Sequence, residues 1–181
     1  MCGFFQKAKP KTCIFFLFAL HFSIPYDLLR RENQDTLKFR ISKLNLVVKR
    51  MPNDGNCQFS SISHQLYGTW KNHYEVRHAA VTQLIAHQDF YRKFVPVNYD
   101  VYCSEMQQNT IWGDNVTLQA ISDYFGVHIK LVTSIRNCPF VEIVPHEKKL
   151  EKVLLLSYFR ATHYNSLLTK QGKVSFIIFS H

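Results

Sequence analysis

The sequence predicts an α+β domain with a small, mainly antiparallel sheet set against helices. Three observations carry this expectation. Up to residue 126 the apolar residues recur every three or four positions, and from Val127 they fall at strand-like spacing. Helical stretches lead and strands follow, the order of an α+β rather than an alternating α/β domain. The 181 residues, 46% hydrophobic and 19% charged, suit one domain able to bury its own core.

The elements follow in order. Residues 28–44 are highly charged, with Leu37, Ile41 and Leu44 spaced for one face of a surface helix. Residues 46–50 read as a short strand. The cluster Pro52-Asn53-Asp54-Gly55-Asn56 is a turn by every local rule. A helix is expected over 57–67 and a clearer one over 74–87, where Val76, Ala80 and Leu84 recur every fourth residue. Residues 99–108 suit another. Trp112-Gly113-Asp114-Asn115 forms a second turn, with Asp114 or Asn115 placed to cap a helix that Gly126 stops. Strands are expected over 128–133, 140–144, 153–158 and 163–168, and a last one over 174–179.

Composition narrows the function classes. Net charge is +9, yet residues 1–50 carry ten Lys/Arg against three Asp/Glu, leaving the remaining 131 residues at only +2. That distribution, with aromatics spread along the chain, argues against nucleic-acid binding. Five cysteines, an odd number without a C-x-x-C pair, argue against a disulfide framework or a zinc site and for a chain that works reduced. Residues 1–26 stand apart as a basic then apolar extension. Their apolar run is too short to span a bilayer, and no small-x-small cleavage site follows it. The expected division is an extension over 1–26, a catalytic domain over 27–169 and a tail over 170–181. The expected location is cytoplasm or nucleus, with secretion through residues 1–26 as the alternative.

The chemistry begins at Asp54-Gly55-Asn56-Cys57. A thiol becomes a good nucleophile when it ionises, and a helix N-terminus favours the thiolate. The turn delivers Cys57 to that position, and the backbone N–H groups of Asp54, Gly55, Asn56 and Cys57 could hold an oxyanion. Taken alone, Cys57 reads equally as a small buried residue. A catalytic thiol needs a base. In a strand over His163-Tyr164-Asn165, His163 and Asn165 share a face, so an amide would lie beside an imidazole. Trp112 reads as a packing aromatic at a turn that could wall a cleft.

Three segments in order, 54–59 (Asp-Gly-Asn-Cys-Gln-Phe), 112–118 (Trp-Gly-Asp-Asn-Val-Thr-Leu) and 163–167 (His-Tyr-Asn-Ser-Leu), resemble the ovarian tumour (OTU) family of deubiquitinating cysteine proteases, above all its small plant members. The resemblance runs from about residue 28 to residue 168. It implies a papain-like fold with a small sheet between helical layers. It implies Cys57 as nucleophile, His163 as general base and then acid, Asp54 as the motif aspartate and Asn165 as the residue orienting the imidazole. It implies hydrolysis of isopeptide bonds at the C-terminal glycine of ubiquitin, with ubiquitin, polyubiquitin and ubiquitinated proteins as partners. Neither metal nor cofactor is required, and a monomer is expected. The termini outside 27–169 have no counterpart in the family domain. A catalytically inactive ubiquitin-binding module of the same fold is the alternative reading.

Overall fold

The computed structural model describes residues 26–173, with side chains from residue 34 onward. Helix α1 (Tyr26–Lys43) is followed by β1 (Leu46–Lys49), α2 (Cys57–Tyr67), α3 (His73–Ala86), the short α4 (Gln88–Tyr91), α5 (Tyr99–Gln107) and α6 (Asn115–Phe125). Strands β2 (His128–Thr133), β3 (Phe140–Ile143), β4 (Val153–Phe159) and β5 (His163–Thr169) complete the chain order. The strand expected over 174–179 and the extension over 1–25 lie outside the described residues.

The five strands form one sheet in the order β1-β5-β4-β2-β3. Three of its pairings are antiparallel and one, β2 with β4, is parallel. The parallel pair arises because β3 folds back on β2 as an edge, so the chain re-enters the sheet on the other side of β2.

Side-chain alternation sorts the sheet between two layers. Leu155 of β4, Val132 of β2 and Leu167 of β5 meet Leu37 and Ile41 of α1 on one face. Leu154 and Leu156 of β4, Ile129 and Leu131 of β2 and Tyr164 of β5 meet Phe59 and Ile62 of α2, with Val76, Leu118 and Ile121 behind them. Strand β4 is apolar at successive positions because it is covered on both faces. Arg40 ties α1 to the end of β2 by donating to the carbonyls of Thr133, Ile135 and Arg136 at 2.7, 2.8 and 3.0 Å. A smaller core of Leu84, Tyr91, Tyr99, Tyr102 and Met106 joins α3 to α4 and α5. Among the described cysteines Cys57 and Cys103 are free thiols.

Buried polar side chains splice the sheet to α2. Gln65 accepts the Leu155 N–H at 3.1 Å and donates to the Leu167 carbonyl at 2.7 Å, bridging β4 and β5 where their register ends. His64 and Gln65 both reach Ser166 Oγ, at 2.9 and 2.7 Å. These contacts fix the angle at which α2 crosses β5, and so where its first residue, Cys57, lies.

Candidate active site

The β1–β5 ladder ends at Lys49↔Ser166. Beyond it the chain leaves the sheet through Met51 and turns back into α2. Strand β5 continues to His163, so its upper end is left without a β1 partner. Cys57 fills that gap: the backbone N–H groups of Tyr164, Gln58 and Cys57 itself lie near its sulfur. All three favour the thiolate. They are outweighed by burial, which pushes the Cys57 thiol up, and the nearby Asp54 carboxylate pushes it further the same way.

The turn before Cys57 is shaped by two unusual positions. Gly55 has φ +84°, and a Cβ there would sit inside the backbone of Thr110, 2.7 Å from its carbonyl carbon. Only glycine meets both demands. Thr110 itself has φ +71°, a strained conformation for a β-branched residue. Asp54 Oδ1 accepts the Asn56 N–H at 2.9 Å, which closes the turn. That bond uses the Asn56 amide, so of the four expected oxyanion donors it leaves Asp54, Gly55 and Cys57. Asn56 occupies the N-cap of α2 without capping it with its side chain. The first-turn amides of α2 thus lack the oxygen an N-cap asparagine usually supplies.

His163 and Asn165 share a face of β5, opposite Tyr164, as alternation requires. His163 is half-buried at the head of the strand, immediately before the amide that lies near the Cys57 sulfur. Asn165 Oδ1 accepts the Met51 N–H at 2.9 Å. Through this bond the carbonyl oxygen anchors the exit of β1. Tyr164 is buried and stacked on Tyr158 at 4.4 Å between ring centroids.

The Trp112 turn packs against the start of α2. A Cβ on Gly113 would collide with Gln58 Oε1 and come within 2.9 Å of the Phe59 ring. Gln58, 1% exposed, donates to the Asp114 carbonyl at 3.0 Å and accepts from Thr117 Oγ1 at 2.8 Å. Asp114, not Asn115, caps α6, in a capping box with Thr117. Trp112 is 59% exposed, one residue from these contacts. Sequence reasoning did not single out Gln58 or Arg77. Arg77 carried a signal, being a charge inside the buried arc His73-Val76-Ala80-Leu84 of α3. A groove of about 420 Å³ lined by Tyr67, Tyr74, Glu75, His78 and Tyr124 lies at the other end of α2, about 15 Å from Cys57 by helix rise. Among the described residues no group of His, Cys, Asp and Glu is placed to hold a metal ion.

The chain is similar to known proteins. The family of OTU-like cysteine proteases matches residues 52–166, the span from the turn before Cys57 to the strand of His163. OVARIAN TUMOR DOMAIN-containing deubiquitinating enzyme 9 of Arabidopsis thaliana is 41% identical over 128 residues, 71% of this chain and 37% of that protein. The chain spans between 37% and 61% of the lengths of the Arabidopsis enzymes numbered 9 to 12. The OTU domain of OTUD1 superimposes with a TM-score of 0.67 at 20% identity, covering 80% of this chain and 99% of that one. An OTU domain solved in complex with ubiquitin gives 0.61 at 20% identity, over 71% and 72%. The fold is the papain-like OTU fold, as the sequence motifs implied.

Proposed function

The chain belongs to the family of OTU-like cysteine proteases, and from that premise we propose that it is a deubiquitinating cysteine protease acting through Cys57 and His163. The observation that carries the reading is the seat of the Cys57 sulfur. It lies at an uncapped helix N-terminus, near the amide that follows His163. Relatives named as deubiquitinating enzymes, and a related domain solved with ubiquitin, support ubiquitin as the partner.

In the proposed reaction Cys57 Sγ attacks the carbonyl carbon of ubiquitin's terminal glycine. The Cys57 proton passes to His163 as the C–S bond forms. The oxyanion is held by the amides of Asp54, Gly55 and Cys57. Collapse breaks the C–N bond, and His163 returns the proton to the departing lysine amine. Water, deprotonated by His163, then cleaves the thioester to release the ubiquitin carboxylate and the thiol. Asn165 holds the end of β1, and its free lone pair fixes the imidazole. Trp112 walls the channel for the two-glycine tail.

Hydrolysis of ubiquitin carrying a C-terminal coumarin amide tests this. Cys57→Ala abolishes turnover, and His163→Ala lowers kcat by about 100- to 10,000-fold, the range of a general base. Unchanged turnover in Cys57→Ala would overturn the reading.

A further inference from the structure

Arg77 is a buried cation that reaction chemistry does not call for. It is 2% exposed and heads the fully buried side chains by volume. Its guanidinium donates to Asn56 Oδ1 at 2.7 Å, to the Met106 carbonyl at 2.9 Å and to the Ile111 carbonyl at 2.8 Å. It lies over the Phe59 ring, 4.0 Å from the centroid. None of these partners is a carboxylate, and Nε has no partner at all. A buried charge with no carboxylate in contact, influenced by Asp54 only from a distance, is an expensive way to fill space. Its fork joins three segments: the Cys57 turn, the end of α5, and the residue before Trp112.

The grip on the turn is double. Asn56 Oδ1 also accepts the Thr110 N–H at 3.1 Å, and Thr110 presses its carbonyl against Gly55. Arg77 and Thr110 therefore hold the same oxygen, one residue from the nucleophile, while the strained Thr110 backbone covers the residue before it. The same oxygen is thereby kept from capping α2, which leaves the first-turn amides facing the sulfur.

We propose that Arg77 is a positioning residue for the nucleophile: through Asn56 it locks the catalytic turn to the 106–112 loop, setting Cys57 and the oxyanion amides in register with the Trp112 wall. The proposal rests on the reading of Cys57 as nucleophile. It assigns Arg77 an effect on the chemical step rather than on ubiquitin binding. A lysine at 77 keeps the charge but cannot reach three oxygens at once.

The test compares wild type, Arg77→Lys, Asn56→Ala and the double variant, each well below its own melting temperature. Two readouts are taken, ubiquitin–coumarin hydrolysis and amide hydrogen exchange. Each single variant is expected to lose about 10- to 100-fold in kcat, the scale of a small misplacement at a reacting centre, with KM within about twofold of wild type. The double variant loses no more than the worse single, because both break one linkage. Exchange rises at the Asn56 and Thr110 amides while the central strands stay protected. Should Asn56→Ala fail to fold, Arg77→Lys alone carries the kinetic and exchange comparison. Folded variants with wild-type kcat, a loss confined to KM, multiplicative losses, or exchange that rises equally across the sheet would each overturn the proposal. If wild type itself did not cleave ubiquitin–coumarin, the functional reading would fall and the kinetic role with it. The exchange arm would then still decide whether Arg77 grips the turn.

Discussion

Replacing Gly55 by alanine tests the architecture of the catalytic turn against an internal standard. Gly55 and Gly68 both adopt left-handed backbone, with φ +84° and +75°. They differ in surroundings: a Cβ at Gly55 meets the Thr110 backbone, whereas one at Gly68, the C-cap of α2, has nothing within 4 Å. Gly68→Ala therefore bears the left-handed penalty alone, about 1–2 kcal/mol. Gly55→Ala adds the displacement of packed backbone, about 1–3 kcal/mol further. For a domain of this size that difference separates the two melting temperatures by about 2–12 °C. Differential scanning calorimetry on the two variants and wild type reads it directly. Gly55→Ala should also lose hydrolysis of ubiquitin–coumarin, while Gly68→Ala, at the far end of α2, keeps it. Equal melting temperatures for the two variants would refute the packing of Thr110 on the turn.

Other expectations follow from the same contacts. Burial and the Asp54 charge both raise the Cys57 thiol, so iodoacetamide alkylation of the free protein should keep climbing with pH past the ordinary thiol range rather than level off near neutrality. Asp54→Asn removes the like charge and keeps the oxygen that accepts the Asn56 N–H, so the alkylation midpoint should move down; an unmoved or raised midpoint contradicts the assignment. Gln65→Leu leaves the Leu155 N–H and the Leu167 carbonyl buried without partners, and should cost about 2–4 kcal/mol in urea unfolding. A loss below about 0.5 kcal/mol would mean that the sheet closes without that bridge.

Much of the fold is legible in local signals. Helix α2 runs over the 57–67 that the turn cluster and apolar spacing delimit, because Gly68 supplies the left-handed stop. Helix α6 starts where Asp114 can cap and ends at Gly126. The strands from β2 onward fall where the period changes. The missed features are those that depend on distant partners. The parallel pairing of β2 with β4 is invisible along the chain, since it follows from β3 taking the edge. Helix α4, four residues long, is too short to show a period. At the site, Cys57 and the strand of His163 were legible as motifs. Gln58, Arg77 and Thr110 were not, because their roles consist of contacts made across 21 to 59 positions of sequence. Asn165 was found for its place beside His163. Its bond to the Met51 amide is a contact that only the path of β1 out of the sheet reveals.

The central claim is that Cys57 is a nucleophile for the C-terminus of ubiquitin. Ubiquitin bearing an electrophile at its C-terminus, incubated with wild type and Cys57→Ala and read by intact mass, tests it most directly. The account predicts one added ubiquitin on wild type, mapped to Cys57 by peptide mass spectrometry, and none on Cys57→Ala. A folded wild-type protein that forms no adduct, or an adduct that persists in Cys57→Ala, would contradict it.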